Sequence, residues 1–293
     1  ARRNVTMPSY FGDIAKTAKD LISGSFNYDN KFSLDAKDAL PVDGLKVTAS
    51  ATQKNGASEP VGSVKSTLDV AKGLSVETEA ALPAGTVTAS ASHSGLVDGL
   101  KLTVSGDPKN LPGAKVALQM LRDAVGVKCD LTNISSGAPK ADVNACFVSG
   151  DLALGASAHV DCVTGAVSKY ALAAQIVADD TTLAVVALNA LDTVKGSVAV
   201  KLDGATSAAA EVTYGVKAKS ASAALAVSKK FSDACSGKIA VSSALPITEG
   251  AVLDPVLSLY TTGDVAAKTT GSVSFQTDKS LAAKWGVQFA TKI

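Results

Sequence analysis

The chain has 293 residues, 46% hydrophobic, 19% charged and only 4% aromatic, with a formal net charge of +1. An apolar, nearly neutral chain is not disordered, 24 Gly without a three-residue period exclude collagen, and 4 Cys are too few for a disulfide scaffold. The charged fraction lies below the roughly 25% of a soluble domain, yet the apolar stretches, such as Leu183–Leu188 and Ala221–Val227, fall far short of the roughly 20 residues of a spanning helix.

The chain opens with Ala1–Met7, which holds Arg2 and Arg3, two of only three Arg (the third is Arg122). It lacks an apolar signal-peptide core and fits an extended terminus or the remnant of a targeting segment. From Pro8 to Ile22 the pattern is helical. Phe11, Ile14, Ala18, Leu21 and Ile22 share one face, while Asp13, Lys16, Thr17, Lys19 and Asp20 share the other. Ser9 is placed to cap the start and Gly24 to end it. The spacing predicts an amphipathic helix of about four turns, too short and polar to cross a bilayer. Residues 1–24 therefore form a leading unit, and residues 25–293 form the main body.

Beyond the helix the period changes to two. Leu45, Val47, Ala49 and Ala51 oppose Lys46, Thr48, Ser50 and Thr52. The same alternation recurs at Val64–Val70, Leu100–Ser105, Val125–Leu131, Leu152–Val160, Val198–Leu202, Val212–Val216, Ile239–Val241 and Ala283–Phe289. Successive side chains of a strand point to opposite faces, so these are predicted strands. Alternation is blurred in Thr181–Leu191 and Ala251–Tyr260.

Turn residues separate the runs at Lys54–Gly56, Asp98–Gly99, Asp107–Pro108, Ser136–Gly137, Asp179–Asp180, Asp203–Gly204, Gly263–Asp264 and Thr277–Asp278. The interval of about 12–16 residues exceeds the 8–12 of a soluble sandwich and matches a tilted membrane strand plus its turn. One face is Leu, Val and Ala, and the other is Lys, Thr, Ser, Asp, Gln and Gly. A closed barrel with lipid outside and water inside asks for that pattern. At roughly 14 residues per strand and turn, the body holds about 19 strands. The fold expected is an all-β transmembrane barrel with the short helix inside the lumen, its apolar stripe on the wall and its charges toward the water.

Enzymatic signals are absent from the sequence. His93 and His159 stand alone, and Cys129, Cys146, Cys162 and Cys235 form no metal-ligand spacing. There is no nucleophile elbow, phosphate loop or dinucleotide fingerprint. No enzyme, cofactor, metal or nucleic-acid partner is expected. Lysine is the informative residue: Lys46, Lys65, Lys101, Lys128, Lys169, Lys201, Lys217 and Lys284 fall on the inferred inner face, with Asp69, Glu77, Glu79, Asp130 and Glu211 as lumenal acids. Basic side chains around a wide aqueous bore give a mild preference for anions.

The segment Pro8–Leu21, with Asp13, Lys16, Lys19 and Asp20 at its charged positions, resembles the opening helix of the eukaryotic mitochondrial porins, the voltage-dependent anion channels. The strand pair at Lys31–Asp35 and Gly44–Ala51, the Gly99-Leu100-Lys101 element and Val127–Asp130 also resemble that family, and the similarity runs over nearly the whole length. The resemblance implies a voltage-dependent, weakly anion-selective channel of the mitochondrial outer membrane, which passes ATP, ADP, phosphate and other small anions by diffusion. It implies pore-lining roles for Asp13, Lys16, Lys19 and Asp20, anion or nucleotide contacts at Lys46, Lys65, Lys101 and Lys128, and a hinge at Gly24. The bilayer, nucleotides in transit and a homo-oligomer or other membrane complexes are the implied partners.

The sequence departs from the family at three points. Leu74, Val76, Thr78 and Ala80 are read as outward, so Glu77 and Glu79 face the lumen and the lipid-facing Glu of several animal members is missing. Gly24 stands alone where several Gly are common, and the lumen is less basic than in animal members. Rival readings are the barrel of the mitochondrial protein-import pore, which usually has a longer lead, a bacterial porin, which usually ends in an aromatic residue, and a soluble or secreted Ala-rich β protein.

Overall fold

A computed structural model describes residues 7–36, 42–245, 253–281 and 283–293. Arg2 and Arg3 lie outside the described residues. Among those residues nineteen strands form one continuous sheet. They are β1 (Asn30–Ala36), β2 (Leu45–Gln53), β3 (Val61–Ala71), β4 (Leu74–Leu82), β5 (Thr86–Ser94), β6 (Leu100–Asp107) and β7 (Asn110–Arg122). Next come β8 (Val125–Thr132), β9 (Lys140–Ser149), β10 (Leu152–Asp161), β11 (Val167–Ala178), β12 (Thr181–Leu188) and β13 (Thr193–Lys201). The remainder are β14 (Thr206–Gly215), β15 (Ser220–Ser232), β16 (Cys235–Leu245), β17 (Asp254–Ala266), β18 (Thr269–Thr277) and β19 (Ala283–Lys292).

Each strand pairs antiparallel with the next, and β1 closes the ring by pairing parallel with β19, Lys31 opposite Gln288 through Asp35 opposite Lys292. Closure leaves no strand edge facing hydrocarbon, which a membrane requires. The short turns at 72–73, 123–124, 150–151, 179–180, 233–234 and 267–268 share one end of the barrel, here the near rim. The opposite end is the far rim.

Register carries the alternation around the ring without a break. Thr48 is opposite Lys65, Lys65 opposite Glu79, and Ser94 opposite Lys101. Further round, Lys128 is opposite Asn144 and His159 opposite Lys169. Because paired residues share a face, the polar positions form one inner surface and the apolar positions one outer surface. The large exposed apolar side chains are on the outside: Leu172 is 52% exposed, Leu183 52%, Leu225 62% and Ile239 53%. The buried side chains Ala153, Ala173, Ala184, Ala199 and Ala209 are instead inside. A soluble monomer does not wrap itself in apolar surface. The total surface of 17377 Å² also exceeds the roughly 11,500 Å² of a soluble monomer of this mass, as a hollow shell must.

Thr78 faces outward as read from the sequence, and its hydroxyl pairs with that of Ser66 on β3 at 2.7 Å, so neither is left unsatisfied in lipid. Two expectations are corrected. Gly263–Asp264 is not a turn: both residues pair within β17, opposite Gly271 and Thr270, and the chain reverses at 267–268. The leading helix is not one rod of four turns. A 3-10 turn at Phe11–Asp13 is separated from α1 (Lys16–Ile22) by Ala15, whose φ of 62° breaks the helical ladder. Tyr10 rather than Ser9 opens the 3-10 turn, its N–H donating to the Asp13 carboxylate at 3.0 Å.

Candidate functional site

The leading segment lies inside the barrel and runs around the inner wall. It begins at β8, where a Cβ on Gly126 would come within 1.8 Å of the Ser9 carbonyl oxygen. Only a glycine admits so close an approach. Phe11 and Ile14 then pack on β9 and β10, with Ile14 in a buried cluster with Cys146, Ala153, Ala173 and Ala184. Ala18 packs on Ala199 of β13 and Ala209 of β14, flanked by Leu21 and Ile22. After α1 the chain crosses β17 to β19. The Asn27 N–H donates to Ser274 Oγ at 3.1 Å, and Tyr28 and Ser258 share a hydroxyl hydrogen bond at 2.9 Å. Burial pushes the Tyr28 phenol above its usual range, against the opposing effect of the Ser258 bond. A Cβ on Gly286 would lie 2.5 Å from the Tyr28 carbonyl carbon, so the second close approach also falls on a glycine.

This track stays near one end. Gly126 and Ala153 are the second residues of β8 and β10 counted from the near rim. Ala209 and Lys238 are the fourth of β14 and β16. The segment thus forms a sill across half of the lumen, just inside the near rim. Between it and the wall lies a cavity of about 940 Å³ lined by Lys16, Asp20, Lys201, Lys230, Lys238 and Asp264, among others.

Lys16, Lys19 and Asp20 are exposed and Asp13 is partly so. Lys16 pairs with Asp20 one turn on, and that hydrogen bond and charge raise the Lys16 ammonium above its usual value. Of the wall lysines, Lys46 pairs with Asp69 at 3.0 Å and Lys65 with Glu77 at 2.8 Å. Lys101 is exposed and has no ion-pair partner among the described residues. Lys46 and Lys101 are second from the near rim in β2 and β6, so they stand at the level of the sill. Lys128 is separate from these three: its ammonium lies 4.1 Å from the Tyr10 ring centroid, under the start of the sill. Lys217 falls in the β14–β15 connection, where its N–H binds Asp192.

Gly24 is held close. A Cβ there would meet the Asp20 carbonyl oxygen at 2.7 Å, and the left-handed residue is its neighbour Ser25, with φ 70°. Sequence reasoning missed the contacts of the sill with the wall. Gln175 accepts from the Ala15 N–H at 2.9 Å, and Lys238 donates to the carbonyls of Asp20 and Gly24. The available signal was inner positions held by Gly or Ala where Lys, Thr or Ser was the rule. At the far rim the inner face carries His159 bonded to Asp142, with Lys140 on β9, Asp161 on β10 and Lys169 on β11 beside them. Among the described residues no group of three or more His, Cys, Asp or Glu could hold a metal ion.

Residues 7–248 match the family model described as eukaryotic porin. A mitochondrial outer membrane porin of Triticum aestivum is 28% identical over 163 residues, 56% of each chain. The chain thus matches little more than half the length of that relative. Mitochondrial outer membrane protein porin 5 of Oryza sativa subsp. japonica is 28% identical over 203 residues, 67% of this chain and 68% of that one. Among solved structures, a mutant of the Rhodopseudomonas blastica porin aligns with 88% of this chain and 96% of its own, at 13% identity and a TM-score of 0.48.

Proposed function

The chain belongs to the eukaryotic porin family, and from that premise we propose that it is a voltage-dependent, weakly anion-selective channel of the mitochondrial outer membrane. It passes metabolites such as ATP, ADP and phosphate by diffusion, with no chemical step. The relatives named as mitochondrial outer membrane porins support the location and the porin role.

One observation carries the selectivity. At the level of the sill, where the bore is partly filled, lysines stand on both sides: Lys16 and Lys19 on α1, Lys46 and Lys101 on the opposite wall. A low-dielectric wall focuses their field on the water between them. Ion pairs of Lys16 with Asp20 and of Lys46 with Asp69 offset part of that charge, so the preference is mild. Voltage dependence fits a charged segment mounted inside the field, where moving one elementary charge across the membrane is worth about 2.3 kcal/mol per 100 mV.

The purified channel in a planar bilayer with a salt gradient tests this. The expected reversal potential is that of a modest anion preference; a clear cation preference would sink the selectivity reading. Absence of conductance would sink the channel reading itself.

A further inference from the structure

Two polar side chains of the wall meet the two ends of α1. At the start, Ala15 has left-handed dihedrals and its N–H turns to the wall, where Gln175 Oε1 on β11 accepts it at 2.9 Å. Gln175 is only 4% exposed. At the end, Lys238 Nζ on β16 donates to the Asp20 carbonyl at 2.6 Å and to the Gly24 carbonyl at 2.7 Å. It lies 5.3 Å from the Phe26 ring centroid and is 9% exposed.

Each contact answers a physical need. A helix leaves unpaired N–H groups at its start and unpaired carbonyls, with partial negative charge, at its end. An acceptor at the first end and an ammonium at the second satisfy both. Without those carbonyls Lys238 would be a buried cation lacking partners, which is costly. The rest of the α1 contact is apolar: Ala18 on Ala199 and Ala209, with Leu21 and Ile22 packed beside them. Apolar packing is non-directional, so the polar contacts at the two ends are what define a position along the wall.

We propose that Gln175 and Lys238 are positioning residues for permeation: a two-point clamp that fixes the sill and so sets the width of the open bore. This rests on the channel reading above. Lys238 is thereby set apart from Lys46 and Lys101, which face the water. The clamp makes a site-specific prediction, because its two points hold different parts of the segment. Cys146, 2% exposed, lies under Pro8, with its thiol 3.8 Å from the Pro8 carbonyl oxygen. Ala209, 6% exposed, lies under Ala18.

The test measures how fast a charged, water-soluble thiol reagent modifies each site in the refolded full-length protein. One background replaces Cys129, Cys162 and Cys235 by Ser and leaves Cys146. The other also replaces Cys146 by Ser and carries Ala209→Cys. Lys238→Met should speed modification at position 209 roughly tenfold or more, as expected for loss of a charged hydrogen bond, and change Cys146 less. Gln175→Leu should do the reverse. Lys238→Gln, which keeps a donor without the charge, should fall between wild type and Lys238→Met, and it serves if the Met variant does not fold. In bilayers both variants should visit additional conductance levels that the unsubstituted protein does not. Unchanged labelling in both variants would overturn the clamp, as would equal acceleration at both sites in both variants, which signals general loosening. Labelling needs no conduction, so a protein that labels as expected yet conducts nothing would overturn the channel reading and leave the clamp standing.

Discussion

The two halves of the inner wall obey the same alternation and are built from different residues. From β2 to β7 the inner positions are mostly polar, Ser and Thr interspersed with the longer Lys46, Lys65, Asp69, Glu77, Glu79, Lys101 and Lys115. From β8 to β14 many are small: Gly126, Ala153, Ala173, Ala184, Ala199 and Ala209. The first half faces water and the second faces the leading segment. Period alone places a residue inside; its size says whether water or another part of the chain covers it.

Four experiments would break or sharpen that contrast. The largest effect is expected from Gly126→Val, whose Cβ would collide with the Ser9 carbonyl. Overpacking of this kind costs about 1–3 kcal/mol; the start of the sill should lift, seen as a changed single-channel conductance and faster Cys146 labelling. Gly62→Val, at a lipid-facing glycine of the other half, should leave both readouts near those of the unsubstituted protein.

Second, reversing Lys46, Lys65 and Lys101 together to Glu should carry the reversal potential to the cation side while conductance levels persist. Third, Lys16→Glu with Lys19→Glu should move it the same way by less, because two charges change rather than three. No shift would remove α1 from the permeation path.

The smallest effect concerns a turn outside the wall. The Asp203 carboxylate accepts the N–H groups of Ala205 and Thr206, both at 2.6 Å. These bonds, the Ala205 bond foremost, hold its carboxyl below the usual 3.8. A carboxyl lowered on folding stabilises the turn above that unperturbed value and loses the contribution as pH falls through its own lower one. The Thr206 amide resonance should therefore titrate below pH 3.8, and Asp203→Ala should abolish the titration without altering conductance.

Much of the barrel was legible in the sequence because lipid and water impose opposite demands on alternate residues. The outward Thr78, the inward Glu77 and Lys65, and the number of strands all follow from that. Alternation blurred over Thr181–Leu191 for a reason now visible: the inner residues Ala184, Val186 and Leu188 are apolar too, and Ala184 and Val186 pack at the sill cluster. The false turn at Gly263–Asp264 has a related origin. Gly263 is an outer residue of β17 opposite Gly271, and a small residue in a strand reads as punctuation. The break at Ala15 was hidden because its cause, the amide of Gln175, lies 160 positions away. Nothing in the sequence singles out Gln175 or Lys238, since a side chain aimed at a distant backbone N–H or carbonyl leaves no pattern in the chain.

The sill sits closer to one rim than to the other, and the two rims carry different groups. A conduit that is narrow and lysine-lined at one mouth, wide and histidine-bearing at the other, presents a lopsided barrier to an ion approaching from either side. Current at equal and opposite potentials should then differ in size. In a planar membrane the sign of that rectification becomes a compass: it tells, molecule by molecule, which way each channel has inserted.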